Sequence, residues 1–331
     1  MSFTTSINIE RDFGKTPHYI VTANARQTIG KIINHFASGI HSFCLIGSYG
    51  TGKSSFILAL ENCLCGKTVG KNVLLSQRGQ FNSFEQFSFI NIVGDYTSLA
   101  NLLASHLNAE SKNVISVLDN HYNRLQKTNQ FLVIVIDEFG KVLEHAAKNN
   151  PEKEMYFLQK FCEYVNDTSK NILFLTTLHQ GFGAYAKGLK AEQKQEWTKV
   201  KGRIQDIVFA EPIEQLLNLT ATHISSADKK PTLNTDKIYN LAVASKFAAS
   251  TLDANVARAL YPMDIVSAYV FTQANQRYGQ NERTLFTFLE TRGEGTVNDF
   301  EASINRLYSL ADVHDYIVYN FYSYLQEAHE D

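Results

Sequence analysis

The chain has 331 residues, of which 44% are hydrophobic and 19% charged, enough to bury one substantial core and a smaller second one. Its 31 Lys and Arg against 33 Asp and Glu leave a net charge of −2, which argues against a surface field able to hold nucleic acid non-specifically over the whole molecule. Glu10, Arg11, Asp12 and Lys15 interrupt the N-terminal stretch, and no run approaches about eighteen apolar residues, so neither a secretory signal nor a membrane span is expected and a cytoplasmic setting is.

From about residue 30 apolar β-like runs alternate with helical patterns, the order of a parallel sheet covered on both faces. The runs are residues 41–46, 87–93, 131–136, 172–176 and 207–209. Three of them, FSFINIV, FLVIVI and ILFLT, are continuously apolar, which predicts central strands buried on both faces. The stretch 181–188 is the most loop-like part of this region. Past Pro212 the β signals stop and helical periodicity takes over in residues 213–223, 236–250, 264–278, 282–290 and 297–327. The expected organisation is therefore an α/β core over residues 1–211 followed by an all-helical domain over 212–331. Cys44, Cys63, Cys65 and Cys162 fall in apolar or helix-like segments, and the C-x-C pair has no second Cys/His pair at zinc-ligand spacing, so all four read as reduced core thiols.

Between the first run and the helical pattern 54–64 stands G-S-Y-G-T-G-K-S: Gly47, Ser48, Tyr49, Gly50, Thr51, Gly52, Lys53 and Ser54, with Ser55 beside them. Strand, glycine-rich loop and helix in that order build a phosphate cradle. Backbone N–H groups curl toward the phosphates and the helix N-terminus adds its dipole. In such a cradle Lys53 reaches the β and γ phosphates of ATP, and the Ser54 hydroxyl ligates Mg²⁺. The strand FLVIVI then ends in Asp137 and Glu138. Ligands of open α/β sheets collect at the carboxyl ends of strands, which fits Asp137 to Mg²⁺ and Glu138 to orienting and deprotonating a water. A DE pair standing alone would more often mark a helix start; the upstream loop turns the reading toward catalysis.

The run ILFLT continues into Thr176 and Thr177, either of which puts a hydroxyl near the γ-phosphate if its strand adjoins the one bearing Asp137; threonine is also simply a good strand residue. His179, alone at the strand exit, reads as structural. In KGRIQDIVFAEP, Arg203 precedes the last strand, where it either serves the site or pairs with Asp206. Lys187, Lys190, Lys194, Lys199, Lys201 and Arg203, set against Glu192 and Glu196, make a locally basic stretch; a solvated helix face is its first reading, with DNA, RNA or an acidic neighbouring subunit as alternatives. Tyr316, Tyr319, Phe321, Tyr322 and Tyr324 read first as packing of the helical domain, with a base-stacking platform or an exposed interface as alternatives.

Taken together, GxxxxGKS, DE after a strand, a polar strand end and G-R-x-x-x-I-x-F before a helical region resemble the core and lid of AAA+ and STAND-type P-loop ATPases. The resemblance implies a P-loop αβα sandwich with an all-helical lid, ATP and Mg²⁺ as ligands, and homo-oligomeric assembly. It also implies that Arg203 is a finger reaching a neighbouring subunit's γ-phosphate. The segment GQNERTLFTFL, residues 279–289, is similar to the lid's arginine-bearing helix and nominates Arg283 for the γ-phosphate of its own chain. The same motifs resemble the N-terminal ATPase modules of large bacterial phage-defence proteins, which implies an effector protein as partner. Members of that group are usually much longer, and the resemblance carries no effector activity onto this chain. A nucleotide-dependent switch with little turnover and a DNA-stimulated ATPase are the alternative functions.

Overall fold

The computed structural model describes residues 7–15, 19, 21–48, 50–66, 81, 83–225, 235–247, 252–278, 285–290, 295–300 and 306–327. The chain divides into two compact units, one formed by Ile7–Ser48 and Gly52–Ala210, the other chiefly by Glu211–Asp331.

The first unit is a three-layer αβα sandwich. Five parallel strands, β1 (Ser42–Ile46), β2 (Gln86–Val93), β3 (Gln130–Asp137), β4 (Ile172–Leu178) and β5 (Gln205–Val208), lie in the order β2-β3-β4-β1-β5. Because side chains alternate across a strand, each strand feeds two cores. Phe43, Leu45, Phe131, Val133, Val135, Leu173 and Leu175 pack with α1 (Ala23–Ala37) and α2 (Lys53–Leu64). Cys44, Leu132, Ile134, Ile136, Ile172 and Phe174 pack on the other face with α3 (Leu99–Leu107), α4 (Val114–Gln126), α5 (Gly140–Lys148), α6 (Pro151–Val165) and α7 (Ala191–Lys201). Helix α1 begins where the Thr22 hydroxyl accepts the Ala25 N–H at 3.1 Å, and its buried residues Ala25, Ile29, Ile32 and Phe36 recur at helical spacing.

The expectation of three central apolar strands holds for β3 and β4, which are buried along nearly their whole length, and fails for β2. β2 is an edge strand, only half-buried despite its apolar run FSFINIV. Its open side meets the N-terminal segment: the Asn91 amide donates to the Ile9 carbonyl at 3.4 Å, Glu10 Oε1 accepts the Val93 N–H at 2.7 Å, and Phe13 packs on Phe89 at 5.6 Å between ring centroids. The central place falls to β1 instead. The loop-like stretch after β4 contains a short 3₁₀ turn, Phe182–Ala186.

Of the second unit the described residues form α8 (Ile213–Ser225), α9 (Asp236–Ala244), α10 (Ala254–Ala259), α11 (Ile265–Tyr278), α12 (Leu285–Glu290) and α13 (Leu310–Glu327). Their core gathers Leu217, Leu260, Phe271, Phe288, Tyr308, Val313 and Tyr316. The single helix expected over 297–327 starts only at Leu310; Tyr308 before it makes a parallel bridge with Met263, and the Tyr308 N–H donates to the Pro262 carbonyl at 2.8 Å, which holds that backbone extended. Tyr316 is buried and Tyr319 is exposed on α13, while the side chains of Phe321, Tyr322 and Tyr324 lie outside the described residues. Among the described residues no helix is long and apolar enough to cross a membrane. Cys44, Cys63 and Cys162 are buried thiols; Cys65 corrects the expectation of four core cysteines, since it caps the end of α2 and is exposed.

Candidate functional site

The glycine-rich loop joins the carboxyl end of β1 to the amino end of α2. Gly50 (φ 73°) and Gly52 (φ 84°) occupy the left-handed region that glycine enters without strain, and Gly52 caps the helix, its carbonyl accepting the Phe56 N–H at 2.9 Å. Tyr49 lies outside the described residues. Lys53 opens the helix and turns back into the loop, donating to the carbonyls of Gly47 at 2.5 Å and Ser48 at 2.8 Å. Burial drives its pKa down to about 8 against the opposing pull of Asp137 and Glu138, so near neutral pH the loop holds a cation that burial has made unusually ready to lose its proton.

Asp137 ends β3, and the sheet order sets β4 between it and the loop-bearing β1. Thr177 spans that gap. Its hydroxyl donates to Asp137 Oδ1 at 2.5 Å and accepts the Glu138 N–H at 2.9 Å. The other carboxylate oxygen, Oδ2, accepts the Ser54 hydroxyl at 2.7 Å, so the amino end of α2, directly after the glycine-rich loop, and the end of β3 meet in one contact. Hydroxyl and carboxylate oxygens are the hard donors that Mg²⁺ takes, and Ser54 and Asp137 fit it on that ground. Among the described residues no cluster of three or more His, Cys, Asp and Glu side chains forms a protein-only metal cage.

Thr176 and Thr177, either one expected to put a hydroxyl near the γ-phosphate, are separated by strand alternation. Thr176 is on the opposite face, fully buried, and its hydroxyl donates to the Phe43 carbonyl at 3.2 Å. The structure does not bring it to Asp137.

Glu138 has φ 54°, a left-handed backbone uncommon for a residue with a Cβ, and its N–H is held by both Asp137 Oδ1 at 3.1 Å and Thr177. Its side chain is half-exposed and pairs with Lys141 Nζ at 2.6 Å. Gly94, at the end of β2, makes this turn possible: its N–H donates to the Asp137 carbonyl at 2.7 Å, and a Cβ there would stand 2.4 Å from the Glu138 carbonyl oxygen. Sequence reasoning passed over Gly94; a glycine directly after an apolar run was the available signal. His179 follows β4, half-buried, and burial together with Lys53 lowers its pKa.

Arg203 is at the other end of the sheet. It precedes β5, and its carbonyl accepts the Asn166 amide at 2.8 Å while Asn166 Oδ1 accepts the N–H of His41, the residue before β1. Its guanidinium donates to the Lys199 carbonyl at 2.9 Å and to Glu163 at 3.1 Å. The alternative pairing with Asp206 is not formed; Lys201 is the cation near that carboxylate, at 4.0 Å. In the basic stretch on and around α7, Lys199 pairs with Glu196, Lys201 with Asp206 and Arg203 with Glu163, so its positive charge is partly neutralised. Arg283 lies outside the described residues.

No protein-family model matches the chain, and no curated protein is similar to it in sequence. Among solved structures it is similar to PCH-2 of C. elegans, at 12% identity and a TM-score of 0.42, over 92% of this chain and 66% of that one. The ORC2 protein of Aeropyrum pernix, in its ADPNP and ADP complexes, is similar at 15% identity and a TM-score of 0.41, over 80% of this chain and 66% of its own. Drosophila ORC bound to DNA gives 12% identity and a TM-score of 0.37, over 76% and 61%. The chain thus spans just under two thirds of the length of the first two, and at such low identity and overlap none of these proteins lends its activity to this one.

Proposed function

We propose that the chain is an ATP-binding and ATP-hydrolysing module of AAA+ or STAND-like type, in which the site between the phosphate loop and the end of β3 binds Mg²⁺-ATP. The observation that carries this reading is the Ser54 to Asp137 contact beside Lys53: a loop built to cradle phosphate is bonded to a carboxylate from a different strand. In this reading Lys53 turns from the loop carbonyls to the β and γ phosphates, and Ser54 with Asp137 would hold Mg²⁺, which supplies charge neutralisation at the phosphate oxygens. Glu138 orients the attacking water and takes its proton, so catalysis is positioning and electrostatics. Residues 1–211 act as the nucleotide-binding core and 212–331 as a helical lid, with Arg203 serving the site of a second copy of the chain and Arg283 its own. Nucleotide state then controls assembly or an effector partner, a role whose link to phage defence rests on motif resemblance.

A second reading is a nucleotide switch with little turnover, and the Glu138 to Lys141 ion pair favours it, because a carboxylate engaged by a lysine is not free to take a proton. Steady-state phosphate release separates the two. The hydrolase reading expects turnover that Glu138→Gln abolishes while ATP binding is retained, since the amide keeps the shape and cannot accept a proton. Absence of turnover in the wild-type chain, alone and with candidate partners, favours the switch; undiminished turnover in Glu138→Gln places the base elsewhere.

A further inference from the structure

Thr177 reaches the carboxylates by a route the proposed hydrolysis does not assign. A threonine hydroxyl has a single proton to donate. Here it goes to Asp137 Oδ1, and the same oxygen atom of Thr177 accepts the Glu138 N–H. The hydroxyl is nearly fully buried, at 2% exposure for the residue, and the Thr177 carbonyl accepts the Phe139 N–H at 3.0 Å, so the crossing from β3 into α5 is stitched to β4 at this residue. Donation to a γ-phosphate would require Thr177 to release Asp137.

The two oxygens of Asp137 are thereby made unequal. Oδ1 accepts from Thr177 and from the Glu138 N–H, while Oδ2 accepts from Ser54, at the opening of the phosphate-loop helix. A carboxylate with one oxygen fixed by two donors presents the other in a defined direction. Glu138 depends on the same hydroxyl, because its left-handed backbone, closed over Gly94, has its N–H held there.

Resting on the nucleotide-site reading above, we infer that Thr177 is a positioning residue for the carboxylate pair: it selects which Asp137 oxygen faces the divalent cation and does not itself read the γ-phosphate. The distinction is visible with ADP, where no γ-phosphate exists. The measurement is Mn²⁺ affinity of the ADP complex by electron paramagnetic resonance, with ADP affinity in EDTA measured alongside by calorimetry. Thr177→Val, which keeps the shape and removes the hydroxyl, is expected to bind ADP in EDTA as the wild type does and to bind Mn²⁺ about 10–100-fold more weakly, the usual effect of losing a partner that orients a metal ligand. Thr177→Ser is expected to keep Mn²⁺ affinity near the wild-type value. Should Thr177→Val not fold, Thr177→Ala reads the same quantity. Undiminished Mn²⁺ affinity in the hydroxyl-free variants overturns the inference, as does a Thr177→Ser protein as impaired as Thr177→Val. If the wild-type chain binds neither ADP nor Mn²⁺-ADP, the nucleotide-site reading itself falls and the inference with it, an outcome distinct from a wild type that binds and a variant that is unaffected.

Discussion

The two ends of the parallel sheet handle charge in opposite ways. At the carboxyl ends Lys53 and Asp137 are buried at 9% and 6% exposure, Lys53 bonded to the loop carbonyls of Gly47 and Ser48 and Asp137 bonded to Ser54 and to Thr177 of β4. At the amino ends Arg203, Glu163 and Lys199 stay at the surface, and their ion pairs are of the half-exposed kind worth about 0–1 kcal/mol. Burying charge is costly, so a fold that places an ammonium and a carboxylate together in its interior does so against stability. The contrast separates a buried, bonded group at the first end from a surface at the second, and it puts Arg203 at the opposite end of the sheet from the glycine-rich loop of its own chain, which is why the proposed role for Arg203 is at the site of a second copy.

The largest effect that could break this contrast is loss of Arg203. Removing an arginine finger typically costs ~10³-fold or more in rate. Arg203→Ala is expected to lose hydrolysis alone and to regain part of it when mixed with Lys53→Ala, because the first still binds ATP and the second still donates its arginine. Mixtures shown to assemble together, yet without rescue, would reduce Arg203 to its surface contacts with Glu163 and Lys199.

Gly94→Ala sharpens the comparison from the structural side. The added Cβ meets backbone, not a yielding side chain, at the Glu138 carbonyl. The substitution is expected to lower stability by about 1–3 kcal/mol, in the range of overpacked cores, and to lower turnover further by moving Glu138. Thermal unfolding together with phosphate release reads both, and an unchanged pair of values would mean that the β2 end does not support the site.

The smallest expected effect is a pH dependence. The folded-state pKa of Lys53, about 8, lies below its ordinary value because of burial, so the penalty for enclosing the ammonium weighs on folding at neutral pH and fades as pH rises from about 8 toward the ordinary lysine range. Nucleotide binding runs the other way, since it needs the charge. ADP affinity is expected to be flat below pH 8 and to fall by at most about tenfold per unit above it. Affinity constant to pH 9.5 would show that Lys53 does not supply the charge that phosphate meets.

Much of the site was legible because its signals are local. The loop Gly47 to Ser54 and the pair Asp137 and Glu138 are contiguous motifs whose flanking apolar runs became β1 and β3. What sequence reading missed depends on distant chain. FSFINIV is as apolar as a central strand, yet strand order makes β2 an edge, and the N-terminal segment rather than another strand lies against it. Adjacent threonines could not be told apart until pairing fixed which face Thr177 presents. Arg203 had Asp206 close by in sequence but found Glu163, 40 positions away, because the carboxyl end of α6, where Asn166 donates to the Arg203 carbonyl, meets the chain just before β5.

Calorimetric titration of Mg²⁺-ATP into the wild-type chain and Lys53→Ala tests the central claim most directly. Lys53 is the charged side chain that the phosphate loop itself contributes, and it is already turned into that loop. The account predicts saturable binding to the wild type and none detectable in the variant, with both proteins folded by thermal melting. Equal ATP affinity in a folded Lys53→Ala protein would contradict it and remove the phosphate loop from the site.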